Sequence, residues 1–304
     1  MVNRSESAEP AMETISAPSE QYLPPQRCSN NMSPPETARL YRKDLTLSRF
    51  FHPLSIMLAN MRRERRRFSA MYKQQKRLIL RHLWDPKAGL FHDGINTNGR
   101  PVGRYSIHTQ TLAILCDLKK NWHQNMVVER LLPYLNGKRL ASALPSSYWV
   151  NYVYEVMTTL GYGREVLEHI EKNWSPMIRW GGTWEMFASD KPFPAGSGFG
   201  FGNTSMTHAW AAHPIYHLAR TLGGATQTGV AWKRIRFAPI LKKVATDNVQ
   251  AVIPTPQGKI VSSWRKTGDG SFKIELSLPK NVQAEVFLPG LARQIVNGKR
   301  TWVV

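Results

Sequence analysis

The chain has 304 residues, 42% of them hydrophobic, with 41 Lys and Arg against 21 Asp and Glu, a formal net charge of +20 at pH 7. That size and apolar content exclude a disulfide-stapled miniature and allow one large core with a smaller second one. Two cysteines, Cys28 and Cys116, are too few for a disulfide framework or a cysteine metal cluster, and the positive charge raises the question of an acidic partner.

Residues 1 to about 35 are rich in Ser, Pro, Glu and Asn and poor in aliphatics, a composition that reads as disordered. The opening MVNRSESAEPAMETISAPSEQ has no apolar h-region, so no secretory signal is expected and the expected compartment is the cytoplasm. The longest apolar run, residues 50–61, is interrupted and too short to span a bilayer, so no transmembrane segment is expected.

From residue 54 to 83, Met57, Met61, Phe68, Tyr72, Ile79 and Leu83 recur near intervals of four or seven, which predicts a helix. Its polar face in 61–82 carries nine Lys and Arg against Glu64 alone: a solvated basic face, or a contact for nucleic acid or anionic lipid. LWDPKAGLFHDG, residues 83–94, breaks this helix at Pro86, Gly89 and Gly94. SIHTQTLAILCDLKK predicts a helix with Ser106 as N-cap and lysines at its C-terminal end. NMVVERLLPYL, SSYWVNYVYEVMTTLGYG and REVLEHIEKNWSPMI predict three more, with Gly161 and Gly163 between the last two.

Next comes RWGGTWEMFASD, residues 179–190, where Glu185 sits among tryptophans and a phenylalanine. The residue is either a helix-start glutamate or a carboxylate that meets a ligand with a flat apolar face. The loop GSGFGFGN follows. TSMTHAWAAHPIYHLARTLGG then predicts one helix, with Thr204 or Ser205 as N-cap, Ser205 and His208 on one face, and Gly223 and Gly224 as the stop. After residue 230 the pattern turns to short strands: NVQAVIP, KIVSSWRK, SFKIELSLP and QAEVFLP, separated by TPQG, TGDG and KN. In SFKIELSL, Phe272, Ile274, Leu276 and Leu278 fall on one side, the mark of a half-buried strand.

The expected organisation is a poorly structured basic segment over 1–49, a helical-hairpin domain over 50–229 and a small antiparallel β-sandwich over 230–304. Ten tryptophans allow stacking surfaces beside core packing. A carboxylate among aromatics can serve as a general base when ionised, and indole faces suit the C–H face of a sugar. No cofactor and no metal is expected.

GGTWEMF followed by NTSMTHAWAAHPIYHLARTLGG resembles the bacterial α-L-rhamnosidases, glycosidases of the six-hairpin (α/α)6 toroid group. RIRFAPIL, GKIVSSWRK and IELSLPKNVQAEVFLP resemble that family's C-terminal β-domain, and the likeness covers roughly residues 75–304. The resemblance implies a partial toroid, about half the hairpins, followed by the β-domain. It implies a rhamnose-containing glycoside as substrate, Glu185 as the general base of an inverting hydrolysis, and His208, Trp184 and Trp210 as sugar-contacting residues. His213 stands where the family has Gly, and Met206 where it has Cys. Inversion needs a second carboxyl about 6.5–9.5 Å from the first, and the family's acidic segment for it has no counterpart here. The chain is therefore expected to be a truncated or split C-terminal portion that keeps the base and lacks the acid, inactive without a complementing N-terminal half chain. Asp93 or Glu155 is the substitute acid to consider. The alternative is a binding protein that uses its basic helix on nucleic acid or anionic membrane.

Overall fold

The computed structural model describes residues 62–138, 140, 143–178, 181–187 and 205–304. The expected N-terminal segment, Cys28, the GSGFGFGN loop and Thr204 lie outside the described residues.

Helix α1 (Arg62–His82) forms as its spacing requires. Its inner side anchors through Tyr72, whose hydroxyl donates to the Cys116 carbonyl at 3.1 Å, and Lys76, which donates to the Asp117 carbonyl at 3.2 Å. Arg65, Arg66, Arg67, Lys73, Arg77 and Arg81 are exposed on the outer face of this helix. The region read as a plain loop is a small hairpin, β1 (Trp84–Asp85) against β2 (Leu90–Phe91). Gly89 makes its turn at φ +65°, and a Cβ there would meet the Trp122 ring at 2.4 Å, so only glycine fits. Buried Gln110 satisfies both backbone groups of Phe91: its amide donates to the carbonyl at 2.7 Å and its oxygen accepts from the N–H at 2.9 Å.

Gln110 belongs to α2 (Ile107–Leu115), capped by Ser106 as expected. The lysines expected in its last turn lie beyond it. The helix ends at Cys116, and Asp117 and Lys119 adopt left-handed backbone at φ 52° and 49°. NMVVERLLPYL is helical but not uniformly so: α3 (His123–Met126) runs into a π turn (Val127–Leu131) and then α4 (Leu132–Leu135). Pro133 stands two residues past the end of the π turn and has no N–H to continue an α ladder. Helix α5 (Val150–Thr159) and α6 (Gly163–Ile178) are joined by Leu160, Gly161 and Tyr162, with Gly161 at φ 96°.

The segment read as one long helix from Thr204 is not one. Extended backbone at His208 (φ −95°, ψ 103°) precedes a 3-10 turn (Ala209–Ala212), and only then does α7 (Pro214–Thr221) begin. Pro214 starts α7 because proline suits a first helical position and disrupts a helix interior. His217 and Arg220 tie α7 to α5: His217 Nε2 lies 2.9 Å from Asn151 Oδ1, and Arg220 pairs with Glu155 at 2.6 Å. One buried cluster runs through these helices, with Phe91, Ile107, Met126, Val153, Tyr154, Val166, Trp174 and Trp184 among its members.

The remainder is β-structure in two four-stranded sheets. One has the order β10 (Lys299–Val303), β7 (Phe272–Ser277), β6 (Gly258–Lys266), β5 (Asn248–Thr255), all antiparallel. The other has the order β3 (Ala225–Gln227), β4 (Arg234–Phe237), β8 (Gln283–Val286), β9 (Gln294–Asn297). Here β4 and β8 run parallel, so the β part is mixed rather than wholly antiparallel. The alternation read in β7 holds: Phe272, Ile274, Leu276 and Leu278 are buried. Both sheets feed a second core that includes Ile235, Phe237, Ile260, Trp264, Ile274 and Val286.

The join between helices and sheets is made at the end of α7. Trp264 Nε1 donates to the Leu222 carbonyl at 2.8 Å and Ser262 Oγ to the Gly223 carbonyl at 2.7 Å. Gly224, at φ +77°, lies so close to Pro239 that a Cβ would meet its nitrogen at 2.5 Å. Trp264→Phe keeps most of the apolar bulk and leaves the Leu222 carbonyl without its donor. It is expected to cost about 1–3 kcal/mol, read as a lower urea midpoint with the m-value unchanged.

Candidate functional site

Glu185 is not at a helix start. It lies in the non-helical stretch 183–187, half-buried, and that stretch is zipped to residues 205–208. The Glu185 N–H donates to the Ser205 carbonyl at 2.9 Å, and the His208 N–H donates to the Thr183 carbonyl at 2.7 Å. Thr183 Oγ1 closes the ladder by donating to the His208 carbonyl at 2.8 Å. Two motifs twenty residues apart in sequence thus become neighbouring backbones, with Glu185 and His208 on the same short pairing.

The Glu185 carboxylate is held as well as placed. The Ser205 N–H donates to its Oε2 at 2.9 Å, a charge-assisted bond that fixes one oxygen. Ser205, expected as a helix N-cap, instead accepts from the Thr207 N–H through its hydroxyl and gives its own N–H to Glu185. The helix expected to start at Ser205 does not start there, and helical structure begins only at Ala209.

His208 sits half-buried against two rings, Tyr148 at 6.1 Å and Trp210 at 5.9 Å, both edge-on. Trp210 is 67% exposed and lies 5.0 Å from Tyr148. A large apolar ring left in water is the kind of surface a sugar C–H face can cover. Tyr148 was not singled out in the sequence. It precedes α5, and its only local signal is the Tyr-Trp pair of SSYWV. Its hydroxyl is 3.5 Å from that of Tyr152, and this contact with burial pushes the Tyr152 phenol up to about 12.

Trp184, expected to line a pocket, is 3% exposed, with its ring in the helical core. Its backbone is engaged as well, the N–H with Met177 Sδ and the carbonyl with the Ser147 hydroxyl. Below the same pairing, a groove of about 550 Å³ is bounded by Trp174, Met177, Gly182, Thr183, Thr207 and Ala209.

Both substitute acids are committed elsewhere. Asp93 Oδ1 accepts from the Ser106 N–H at 2.7 Å and the Thr109 hydroxyl at 2.8 Å, capping α2. Glu155 is paired with Arg220. Among the described residues, no three His, Cys, Asp or Glu side chains come together so as to hold a metal ion, and no helix is long and apolar enough to cross a membrane.

This arrangement defines a chain of helices and β-sheets in which the segment bearing Glu185 is paired with the segment that leads to exposed Trp210. Residues 224–302 match the family model described as the bacterial alpha-L-rhamnosidase C-terminal domain. Among solved structures, the GH78 family rhamnosidase of Bacillus sp. GL1 is similar at 25% identity and TM-score 0.65, over 81% of this chain and 26% of that one. The α-L-rhamnosidase of Aspergillus terreus shares the fold at 17% identity and TM-score 0.63, over 86% and 29%. That of Streptomyces avermitilis, complexed with L-rhamnose, shares it at 14% and 0.61, over 87% and 28%. A comparison with curated proteins finds no match. The chain matches a C-terminal portion of a bacterial α-L-rhamnosidase, and it spans less than a third of the length of these solved structures.

Around buried Tyr154, behind the site, three imidazoles are packed: His169 (Nδ1 2.6 Å from the Tyr154 hydroxyl), His213 and His217. Burial, then the Lys172 charge, brings His169 down to about 4. Burial, then His213 and Arg220, brings His217 down to about 3, and burial lowers His213 despite its bond to Ser147. Folding therefore prefers neutral imidazoles. In the unfolded chain these groups take up protons near pH 6.5, so below that pH the unfolded state binds more protons and stability falls. The melting temperature is expected to be flat above about pH 7 and to drop between about 6.5 and 4. A His217→Gln variant is expected to show a shallower drop in thermal unfolding followed by circular dichroism.

Proposed function

We propose that this chain carries the base half of an inverting α-L-rhamnosidase site within a partial (α/α)6 toroid followed by a β-sandwich. The reading rests above all on the 183–185 to 205–208 pairing, which brings Glu185 and His208 together beside Trp210. Glu185 is the general base. Ser205 holds its Oε2, leaving the other oxygen to take a proton from water as that water attacks the anomeric carbon. His208 and Tyr148 border the sugar, and Trp210 offers its indole face. Trp184 serves as an anchor for the loop rather than as a sugar contact.

The general acid comes from outside the described residues, supplied by a complementing chain that carries further hairpins. The support is that Asp93 and Glu155 already have partners, and a carboxylate that caps a helix or neutralises an arginine is poorly free to protonate a leaving oxygen. The substrate is a rhamnose-containing glycoside, the sugar bound in one of the similar structures.

The purified chain alone is expected to release no aryl alcohol from an aryl α-L-rhamnoside at any pH. With a complementing N-terminal half supplied in trans, turnover is expected to appear. Glu185→Gln should then reduce it roughly 10²–10⁴-fold. Turnover that Glu185→Gln leaves intact would remove Glu185 as the base. Turnover by the chain alone, lost on Glu185→Gln, would remove the need for a partner.

A further inference from the structure

The peptide unit between Trp184 and Glu185 is hydrogen-bonded at both ends. Its N–H, from Glu185, donates to the Ser205 carbonyl. Its carbonyl, from Trp184, accepts from the Ser147 hydroxyl. Ser147 is fully buried, so that carbonyl has no water to turn to when the hydroxyl is gone. Ser147 is in turn held from a third segment, because its own carbonyl lies 2.7 Å from His213 Nε2. A carbonyl only accepts, so Nε2 carries the proton and donates. His213 stands at the junction of the 3-10 turn and α7, five residues after His208.

We propose that Ser147 and His213 form a positioning pair that fixes the Trp184–Glu185 peptide, and with it the carboxylate of Glu185, against the His208 segment. The role depends on the reading of Glu185 as the base, and it concerns geometry rather than proton transfer. Three pieces distant in sequence meet at Ser147: the approach to α5, the Glu185 loop and the start of α7. Rotation of the 184–185 peptide would break the Ser147 and Ser205 bonds together, and the Ser205 N–H would lose its hold on Oε2. Neither residue touches the reacting atoms.

The imidazole is suited to this place. His213 packs edge-on to Trp174 at 5.4 Å and Tyr154 at 5.7 Å, so its ring is gripped by the core while one N–H reaches Ser147. An aliphatic residue would fill the space without donating. Glutamine would donate with a looser grip.

Amide hydrogen exchange of the full chain tests the pair without needing activity. Ser147→Ala and His213→Leu should each speed exchange at the Glu185 and Ser205 amides about tenfold or more, the scale of a lost donor to a buried acceptor. The Val153 and Ile170 amides, inside α5 and α6, should change less than twofold. His213→Gln should restore most of the protection that His213→Leu loses. Unchanged exchange at Glu185 and Ser205, or equal acceleration at all four amides, would overturn the proposal. Titration with L-rhamnose, followed by tryptophan fluorescence, separates this from the sugar reading. If the unsubstituted chain binds, both variants should weaken binding about tenfold, and equal affinities would count against positioning. If it binds no L-rhamnose while the local exchange effect is present, the clamp stands and the sugar reading fails.

Discussion

A half-buried carboxylate keeps a fixed position only when the peptide that carries it is fixed, and here both ends of the Trp184–Glu185 peptide are tied. Ser147 holds the carbonyl and Ser205 holds the N–H. The rest of the helical part can be read as support for these two bonds. The Trp184 ring is sunk in the core so that its backbone cannot drift, and α5 and α7 are cross-linked by Glu155 with Arg220 and Asn151 with His217. Loops that carry chemistry are commonly positioned by a rigid scaffold in this way.

Behind the site, the scaffold uses imidazoles where a simpler core would use aliphatics. His169, His213 and His217 each make one specific polar contact and otherwise behave as apolar rings around Tyr154. The polar contacts fix the relative placement of α5, α6 and α7, and their cost is sensitivity to acid. The β part is joined differently. Trp264 and Ser262 reach two consecutive carbonyls at the end of α7, and glycine at 224 allows the chain to pass close to Pro239. Movement of the sheets would be felt at α7, whose first residues follow the His208 segment.

Local signals were legible where a single element decided its own form. Ser106 caps α2 because a hydroxyl at that point satisfies an N–H of the first turn, and β7 alternates because one face meets a core. The Gly161 stop follows from its positive φ. Long-range pairing was not legible. Nothing in TSMTHAWAAHP announces that Ser205 to His208 is non-helical, because its backbone partner lies some twenty residues upstream. The parallel β4 and β8 pair and strands β9 and β10 were missed for the same reason. Glu185 is conspicuous in the sequence as a carboxylate between aromatics, whereas its hold by the Ser205 N–H is not legible there. The burial of Trp184 was not legible, because its ring packs into a helical core built from residues far along the chain. Tyr148 was missed because its neighbours His208 and Trp210 are sixty residues away.

The basic helix α1 is anchored to the end of α2 through Lys76 and Tyr72. The central claim is that the paired segments bearing Glu185 and His208 form a sugar-binding surface. A nitrogen-edited NMR titration of the labelled chain with L-rhamnose tests this most directly. The account predicts saturable shifts at the Trp210 indole N–H and at the Glu185, Ser205 and His208 amides, with α1 and the sheets unmoved. Saturating sugar that leaves those four signals in place, or shifts them no more than signals around Lys76, Lys119 and Trp122, would contradict it.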